Sequence, residues 1–447
     1  MLLTGHNFRY AVEQISLSLF NRADVEGTSE LSGGVAVTTL TVGGAVSSAS
    51  ELVSDINDAK AVQYALKISF YKAALPLLTE PPPWGAISGV KPAQLAMRGA
   101  NLERDYYVSA ERAELCRVAA DYALAAKAAL SADDVMLYVG IPFCPTRCAY
   151  CSFVSSSVEK SLKLIEPYLD ALNREIISVS ERVKTRGERV KALYIGGGTP
   201  TTLNAEQLKR LIDALREKFD LSDCVEFSVE AGRPDTITRE KMLTLKDGGV
   251  NRVSVNPQTM RDEVLNLIGR RHSAQDTLDA YGIVREVGFS RVNMDFIAGL
   301  PGDTPDGFMD SVNIGLGLRP ENLTLHTLTR KRGSDLNAEY AVTAEQPLGT
   351  EVKQMLDYAF GELRLREYSP YYLYRQKYSI GGFENTGWTL PGCECLYNIS
   401  MMEELCSVYA LGAGGATKLI TPNSARRVTR SFNKKYPLEY IAAYNAL

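Results

Sequence analysis

The chain has 447 residues, more than one ordinary hydrophobic core accommodates, so two or three domains are expected. Its 45% hydrophobic and 23% charged residues are ordinary globular proportions and exclude a disordered or fibrous chain. A net charge of −4 gives no general attraction to nucleic acid or an anionic membrane, and no apolar run approaches the roughly 18 residues that span a bilayer. The first ten residues lack the basic start and apolar centre of a secretory signal, so a cytoplasmic location is expected. Thiols stay reduced there, and the eight cysteines are read as three ligands and five bystanders, not as four disulfides.

In the N-terminal region, Val35–Val42 is β-branched and partly alternating, which predicts a strand near a sheet edge. Gly33-Gly34 and Gly43-Gly44 supply its flanking turns. From Asp58 to Leu78, apolar Val62, Ala65, Leu66 and Phe70 recur at helical spacing, and Pro76 marks the end. The stretch 81–92 is a proline- and glycine-rich loop carrying Trp84, one of two tryptophans. It reads equally as a linker whose indole packs on the core and as a segment with a role of its own. An alanine-rich helix is expected over 109–130.

From Val135 the pattern becomes strand, loop, helix, repeated. Strands are expected at Met136–Ile141, Ala192–Ile195, Val225–Glu230, Arg252–Asn256, Arg291–Ala298 and Asn322–Leu328. Helices fall between them at Ile165–Lys184, Ala205–Phe219, Arg239–Asp247, Ala274–Val287 and Gly307–Leu316. Such alternation implies a parallel sheet with right-handed crossovers. Six units in about 190 residues fall short of the eight that close a full barrel. The expected fold is therefore α/β: a partial (β/α)6 TIM-like barrel over 135–340, with an N-terminal α+β domain over 1–134 and a smaller C-terminal domain over 341–447.

The distinctive residues lie at strand C-termini, where such folds place their chemistry. The first strand runs into Cys144, Cys148 and Cys151, spaced C-x3-C-x2-C. A 4Fe–4S cluster normally takes four thiolates. Three leave one iron open to a small chelating molecule, and the amino and carboxylate groups of S-adenosylmethionine chelate in this way. A structural zinc loop or a chance cluster is the alternative, but zinc sites favour two paired units and no second pair follows.

Gly196-Gly197-Gly198-Thr199-Pro200 ends the second strand and reads either as a cradle for the methionyl amino group or as a plain tight turn. Glu230 ends the third strand, Gln258 lies after the fourth, and Asp295 lies on the fifth before Gly299-Leu300-Pro301-Gly302. The Glu230 carboxylate suits an ammonium or a ribose, with a solvated strand-end charge as the plainer reading; Asp295 suits a ribose hydroxyl, with Gly-Leu-Pro-Gly read otherwise as only a loop. Arg270 suits a carboxylate, while Arg270-Arg271 also reads as a solvated surface.

Taken in order, these motifs resemble the coproporphyrinogen-dehydrogenase branch of the radical-SAM superfamily, the oxygen-independent coproporphyrinogen III oxidases and their haem-chaperone relatives. Trp84-Gly85-Ala86-Ile87-Ser88-Gly89-Val90-Lys91-Pro92, Pro391–Asn398 and Ala410–Gly415 resemble segments of the HemZ-type subgroup. The resemblance implies a 4Fe–4S cluster on Cys144, Cys148 and Cys151. It implies S-adenosylmethionine held by Tyr138, Gly197, Gly198, Thr199, Glu230, Gln258, Arg270 and Asp295. The implied reaction is the conversion of two coproporphyrinogen III propionates to vinyl groups in haem biosynthesis, with an unidentified reductant for the cluster. A porphyrinogen is the expected partner, with no nucleic acid and no membrane span. Arg233, Arg330, Lys331 and Arg332 are candidate partners for its carboxylates. Two departures leave other reactions open: Phe153 replaces a cysteine of the decarboxylating relatives, and Gly140 replaces a histidine. A haem carrier of the same family, or an enzyme that methylates haem and opens its ring, are the alternatives. Cys393 and Cys395 are expected to be bystanders, and His326 a satisfied core imidazole.

Overall fold

The computed structural model describes residues 1–20, 25–152, 156–157, 161–329, 348–377, 379–421 and 428–445. They form two compact units, Met1–Ala120 with Leu373–Glu384, and Asp121–Tyr372 with Asn385–Leu447. No helix among the described residues is long and apolar enough to cross a membrane.

The first unit is built on a four-stranded sheet of Leu2–Thr4, Glu26–Ser32, Val35–Val42 and Ala45–Leu52, in that order. Val35–Val42 pairs on both sides and lies next to the edge strand. Both of its hairpins turn on two glycines with positive φ, from 56° to 84°, the conformation that matches strand twist and that side chains resist. The helix Ala59–Ala74 is capped by Asp58, whose carboxylate accepts from the Lys60 N–H at 2.9 Å. It buries Ile68 and Phe70 with Leu40 of the sheet. Trp84 is buried, and its Nε1 donates to Glu384 at 2.6 Å. Glu384 is paired with Arg112 at 3.0 Å, both side chains being sealed from solvent. The indole thus does pack on a core, and it also anchors a buried ion pair.

The second unit contains the predicted alternation. Its six parallel neighbours are Asp134–Ile141, Arg189–Gly197, Glu226–Glu230, Arg252–Ser254, Val292–Ala298 and Asn322–Thr327. The fourth strand is shorter than expected: Pro257 has no N–H to give the ladder, and the chain rejoins it only at Gln258 opposite Phe296. Amphipathic helices cover the sheet, among them Ile165–Thr185 and Ala205–Lys218, the latter started by an Asn204–Gln207 capping box.

Both sides of this sheet carry strands that periodicity did not reveal. Glu384–Thr389 pairs antiparallel with the sixth strand. Ser407–Leu411 pairs parallel with the first. At the N-terminal ends of the strands, Arg252 is buried with Glu226 at 3.5 Å and donates to the carbonyls of Cys393 and Glu394 at 3.0 and 2.9 Å. The Cys395 thiol donates to Glu226 at 3.1 Å. Cys393 and Cys395 therefore belong to a structural clamp at the end of the barrel remote from the strand C-termini, consistent with the bystander reading.

Candidate metal centre and active site

The first barrel strand is buried along nearly its whole length, so its end is held firmly where the cysteine loop departs. Cys144 pairs in a short ladder with Ser157. Cys148 and Cys151 form a turn, with the Cys151 N–H bonded to the Cys148 carbonyl at 3.0 Å. The loop is pinned to the segment after the fourth strand: the Ala149 N–H donates to Ile268 O at 3.0 Å, and Thr146 Oγ1 to Gly269 O at 3.2 Å. Cys148 is buried, Cys144 and Cys151 are half-buried, and none of the three is in a disulfide. Among the described residues no group of His, Cys, Asp or Glu gathers round a single metal ion. A cluster makes a different demand, because each thiolate binds a different iron.

The glycine loop packs directly on the cysteine loop. The Gly198 N–H bonds to Ile141 O at 2.8 Å and the Thr199 N–H to Phe143 O at 2.7 Å. Those donors are consumed, so what this turn offers an ammonium is carbonyl oxygen. Thr199 Oγ1 also reaches Cys144 Sγ at 3.6 Å. A Cβ on Gly197 would lie 2.8 Å from Ile141 O.

Glu230 accepts a hydrogen bond from Tyr194 at 2.6 Å. Burial, with Asp295 nearby, pushes its carboxyl up to about 7, against the pull of the Tyr194 hydroxyl. Gly196 leaves room for this carboxylate, since a Cβ there would come within 3.0 Å of it. Tyr138, Tyr194 and Tyr397 stack with their rings nearly parallel, Tyr194 and Tyr397 at 4.5 Å. Burial raises the hydroxyl pKa of Tyr138, and Glu230 adds to the shift.

Asp295 faces His326, 3.7 Å from its Nε2, and accepts from Asn293 at 2.7 Å. Burial pushes its carboxyl up, but the bonds from His326 and Asn293 outweigh burial and the shift is downward. His326 also meets Asn385 Oδ1 through Nδ1 at 3.2 Å. The imidazole is satisfied as expected, but its partner is a candidate cofactor ligand. Gln258 has a φ of 71° and is fixed by backbone bonds to Asp295 and Ile297.

Arg270 is buried, not solvated, and donates to Asn256 O at 2.6 Å. Burial opposes its charge, but Tyr150 and Cys148 hold its pKa above the ordinary value. Arg233 is the surprise of the site. Its guanidinium forks onto Asp235 at 2.9 and 2.8 Å and points its third nitrogen at Thr146, 3.0 Å, and Cys148 Sγ, 3.8 Å. It braces the cysteine loop and is spent as a partner for substrate carboxylates, which corrects the expectation. Arg330, Lys331, Arg332 and Phe153 lie outside the described residues. Sequence reasoning missed Tyr194 and Tyr397. Tyr194 stands two residues before Gly196, on the same strand face, which is a usable signal; Tyr397 reaches the site only through long-range pairing.

Residues 138–314, from the first barrel strand into the helix Pro305–Gly317, match the Radical SAM superfamily, the class that this sheet and cysteine loop define. The chain is 37% identical over 374 residues to the oxygen-independent coproporphyrinogen-III oxidase-like protein HemZ of Bacillus subtilis, which covers 80% of this chain and 74% of that protein. It is 39% identical over 192 residues to the heme chaperone HemW of Bacillus subtilis, across 43% of this chain and 49% of the relative. The solved structure of coproporphyrinogen III oxidase HemN from Escherichia coli, a radical SAM enzyme, shares the fold with a TM-score of 0.58 at 24% identity, covering 73% of this chain and 72% of that one. The protein belongs to the HemZ, HemN and HemW family of radical SAM proteins. That family uses a 4Fe–4S cluster and S-adenosylmethionine.

Proposed function

We propose that this protein is a HemZ-type coproporphyrinogen III dehydrogenase, which without oxygen turns two propionate side chains into vinyl groups and yields protoporphyrinogen IX. The observation that carries this reading is the 37% identity to HemZ across four-fifths of the chain. Cys144, Cys148 and Cys151 would hold the cluster. The residues fit it: three cysteines outside any disulfide on one short loop, the Arg233 guanidinium 3.8 Å from Cys148 Sγ, and a glycine where any side chain would strike Cys144.

When bound, the cluster and S-adenosylmethionine together supply a one-electron cleavage that starts hydrogen abstraction from a substrate C–H bond. The chain's own residues bind and orient. Gly197, Gly198 and Thr199 would leave the backbone of their turn open to an ammonium, Glu230 would add a carboxylate acceptor, and Arg270 would pair with a carboxylate. Asp295 and Gln258, held by neighbouring strands, face ribose hydroxyls and the adenine edge. Tyr138 closes the wall beside Glu230. Each propionate loses carbon dioxide, one hydrogen atom and one electron, so the reaction needs an electron acceptor besides the cluster's reductant. In functional terms we divide the chain into an accessory region over 1–134, a catalytic core over 135–340 and a substrate-side region over 341–447.

A haem carrier is the second reading, favoured by the HemW relatives and by Phe153 where the decarboxylating relatives carry cysteine. The test is anaerobic incubation of the cluster-loaded chain with S-adenosylmethionine, dithionite and coproporphyrinogen III, followed by mass spectrometry. Protoporphyrinogen IX with release of carbon dioxide supports the dehydrogenase. Stoichiometric haem binding without carbon dioxide release rejects it in favour of the carrier.

A further inference from the structure

The first unit holds a feature that the barrel chemistry does not use. A cleft of about 290 Å³ opens between the helix Ala59–Ala74 and the segment 86–106. Lys60, Tyr64 and Lys67 reach it from one face of that helix, since residues spaced by three or four positions align. The loop that includes Ile87 and Lys91 forms the opposite wall, with Arg98 and Tyr106 beyond. This is the Trp84–Pro92 segment singled out in the sequence, whose indole is buried while the residues after it line the cleft.

The cleft is cationic and its body is apolar. Among the described residues, four cations line it and no carboxylate does. The two carboxylates acting on Tyr64 are already paired, Asp105 with Arg104 at 2.8 Å and Glu51 with Lys72 at 2.6 Å. Lys67 is half-buried, and burial lowers its pKa, against a small opposing effect of Tyr10. Holding a cation where water is scarce costs free energy unless an anion arrives to compensate it. Between the charges stand Ile68, Ile87 and the edge-to-face pair Tyr64 and Tyr106, with ring centroids 5.5 Å apart. Lysines are compact point charges on flexible stems, suited to carboxylates that differ in position.

We propose that this cleft of the first unit binds a flat, apolar organic anion bearing carboxylates, the porphyrin class. The choice of porphyrin among such anions rests on the function proposed above. One edge of the macrocycle lies against Tyr64 and Ile87, and its propionates meet Lys67 and the rim cations Lys60 and Arg98.

The experiment is an equilibrium fluorescence titration of the cluster-loaded full chain with coproporphyrin III, the air-stable oxidised ring, in wild type, Lys67→Gln and Lys60→Gln/Arg98→Gln. The rim variant changes only exposed side chains, so it tests the cleft even if Lys67→Gln fails to fold. Loss of charge-assisted contacts is expected to weaken cleft binding by about tenfold or more, leaving any barrel binding in place. Titrations identical to wild type in the rim variant overturn the proposal. So does displacement of coproporphyrin by ATP at lower concentration, which would make the site one for phosphates. Cleft binding without turnover of coproporphyrinogen III supports this site and counts against the dehydrogenase alone; turnover without cleft binding does the reverse.

Discussion

The sulfur of Cys144 stands 2.8 Å from where a Cβ on Gly198 would be, and the Phe143 carbonyl oxygen stands 2.6 Å from the same point. No side chain fits there unless the cysteine loop or the glycine turn moves. Gly198→Ala is therefore expected to keep the fold, judged by circular dichroism, while lowering iron content after anaerobic reconstitution. Full iron loading in this variant would mean that the loop tolerates a shift and that its close packing is incidental.

The cysteines separate by position. Cys144→Ala, Cys148→Ala and Cys151→Ala should each abolish the iron–sulfur absorbance. Cys393→Ala should leave it intact, because that residue's carbonyl serves Arg252 at the far end of the barrel. Iron loss in the Cys393 variant alone would move a ligand to the clamp.

Glu230 gives a pH dependence with a definite sign. Its pKa is about 7 in the folded chain against an ordinary 4.5. A raised folded pKa stabilises the fold below the ordinary value, and that contribution fades as pH rises through about 7. A bound cation needs the ionised carboxylate, so its affinity moves the opposite way. S-adenosylmethionine should bind more tightly at about pH 8 than at about pH 6, and Glu230→Gln should flatten the profile in calorimetric titrations.

Arg270→Lys retains the charge but loses the planar fork. If Arg270 pairs with the cofactor carboxylate, binding of S-adenosylmethionine should weaken by about 1–3 kcal/mol. An unchanged dissociation constant in a variant with full iron content would reduce Arg270 to a brace for Asn256 and Tyr150.

Arg252→Ala should destabilise the second unit by about 3–5 kcal/mol, because it strands the buried Glu226 carboxylate without its cation. Denaturant unfolding measures this. Arg252→Met paired with Glu226→Gln should recover part of the loss, since no charge is then left buried alone.

Much of the barrel was legible because its signals are local. Strand and helix periods alternate from Met136 to Leu328, and the cysteines, glycines and strand-end carboxylates sit at fixed offsets from those strands. The hairpins around Val35–Val42 were legible for the same reason, since paired glycines mark the turns. Arg233 was misread because a sequence shows a cation but not that Asp235, two residues on, captures it. The strands Glu384–Thr389 and Ser407–Leu411 escaped notice because they are short and acquire meaning only through partners distant in the chain. The Tyr138, Tyr194 and Tyr397 stack went unseen on the same account.

The pairing of Ser407–Leu411 with Asp134–Ile141 bears on how the protein is made. Synthesis runs from the N-terminus, so the first barrel strand emerges long before the neighbour that covers its outer edge. Until Ser407–Leu411 emerges, that edge presents unpaired backbone groups, a template for pairing with other chains. A ribosome stalled before Ser407 would thus release a chain with an intact cysteine motif and an open sheet. Such truncated products are expected to aggregate, which makes synthesis through Leu411 a determinant of how much cluster-competent protein a cell obtains.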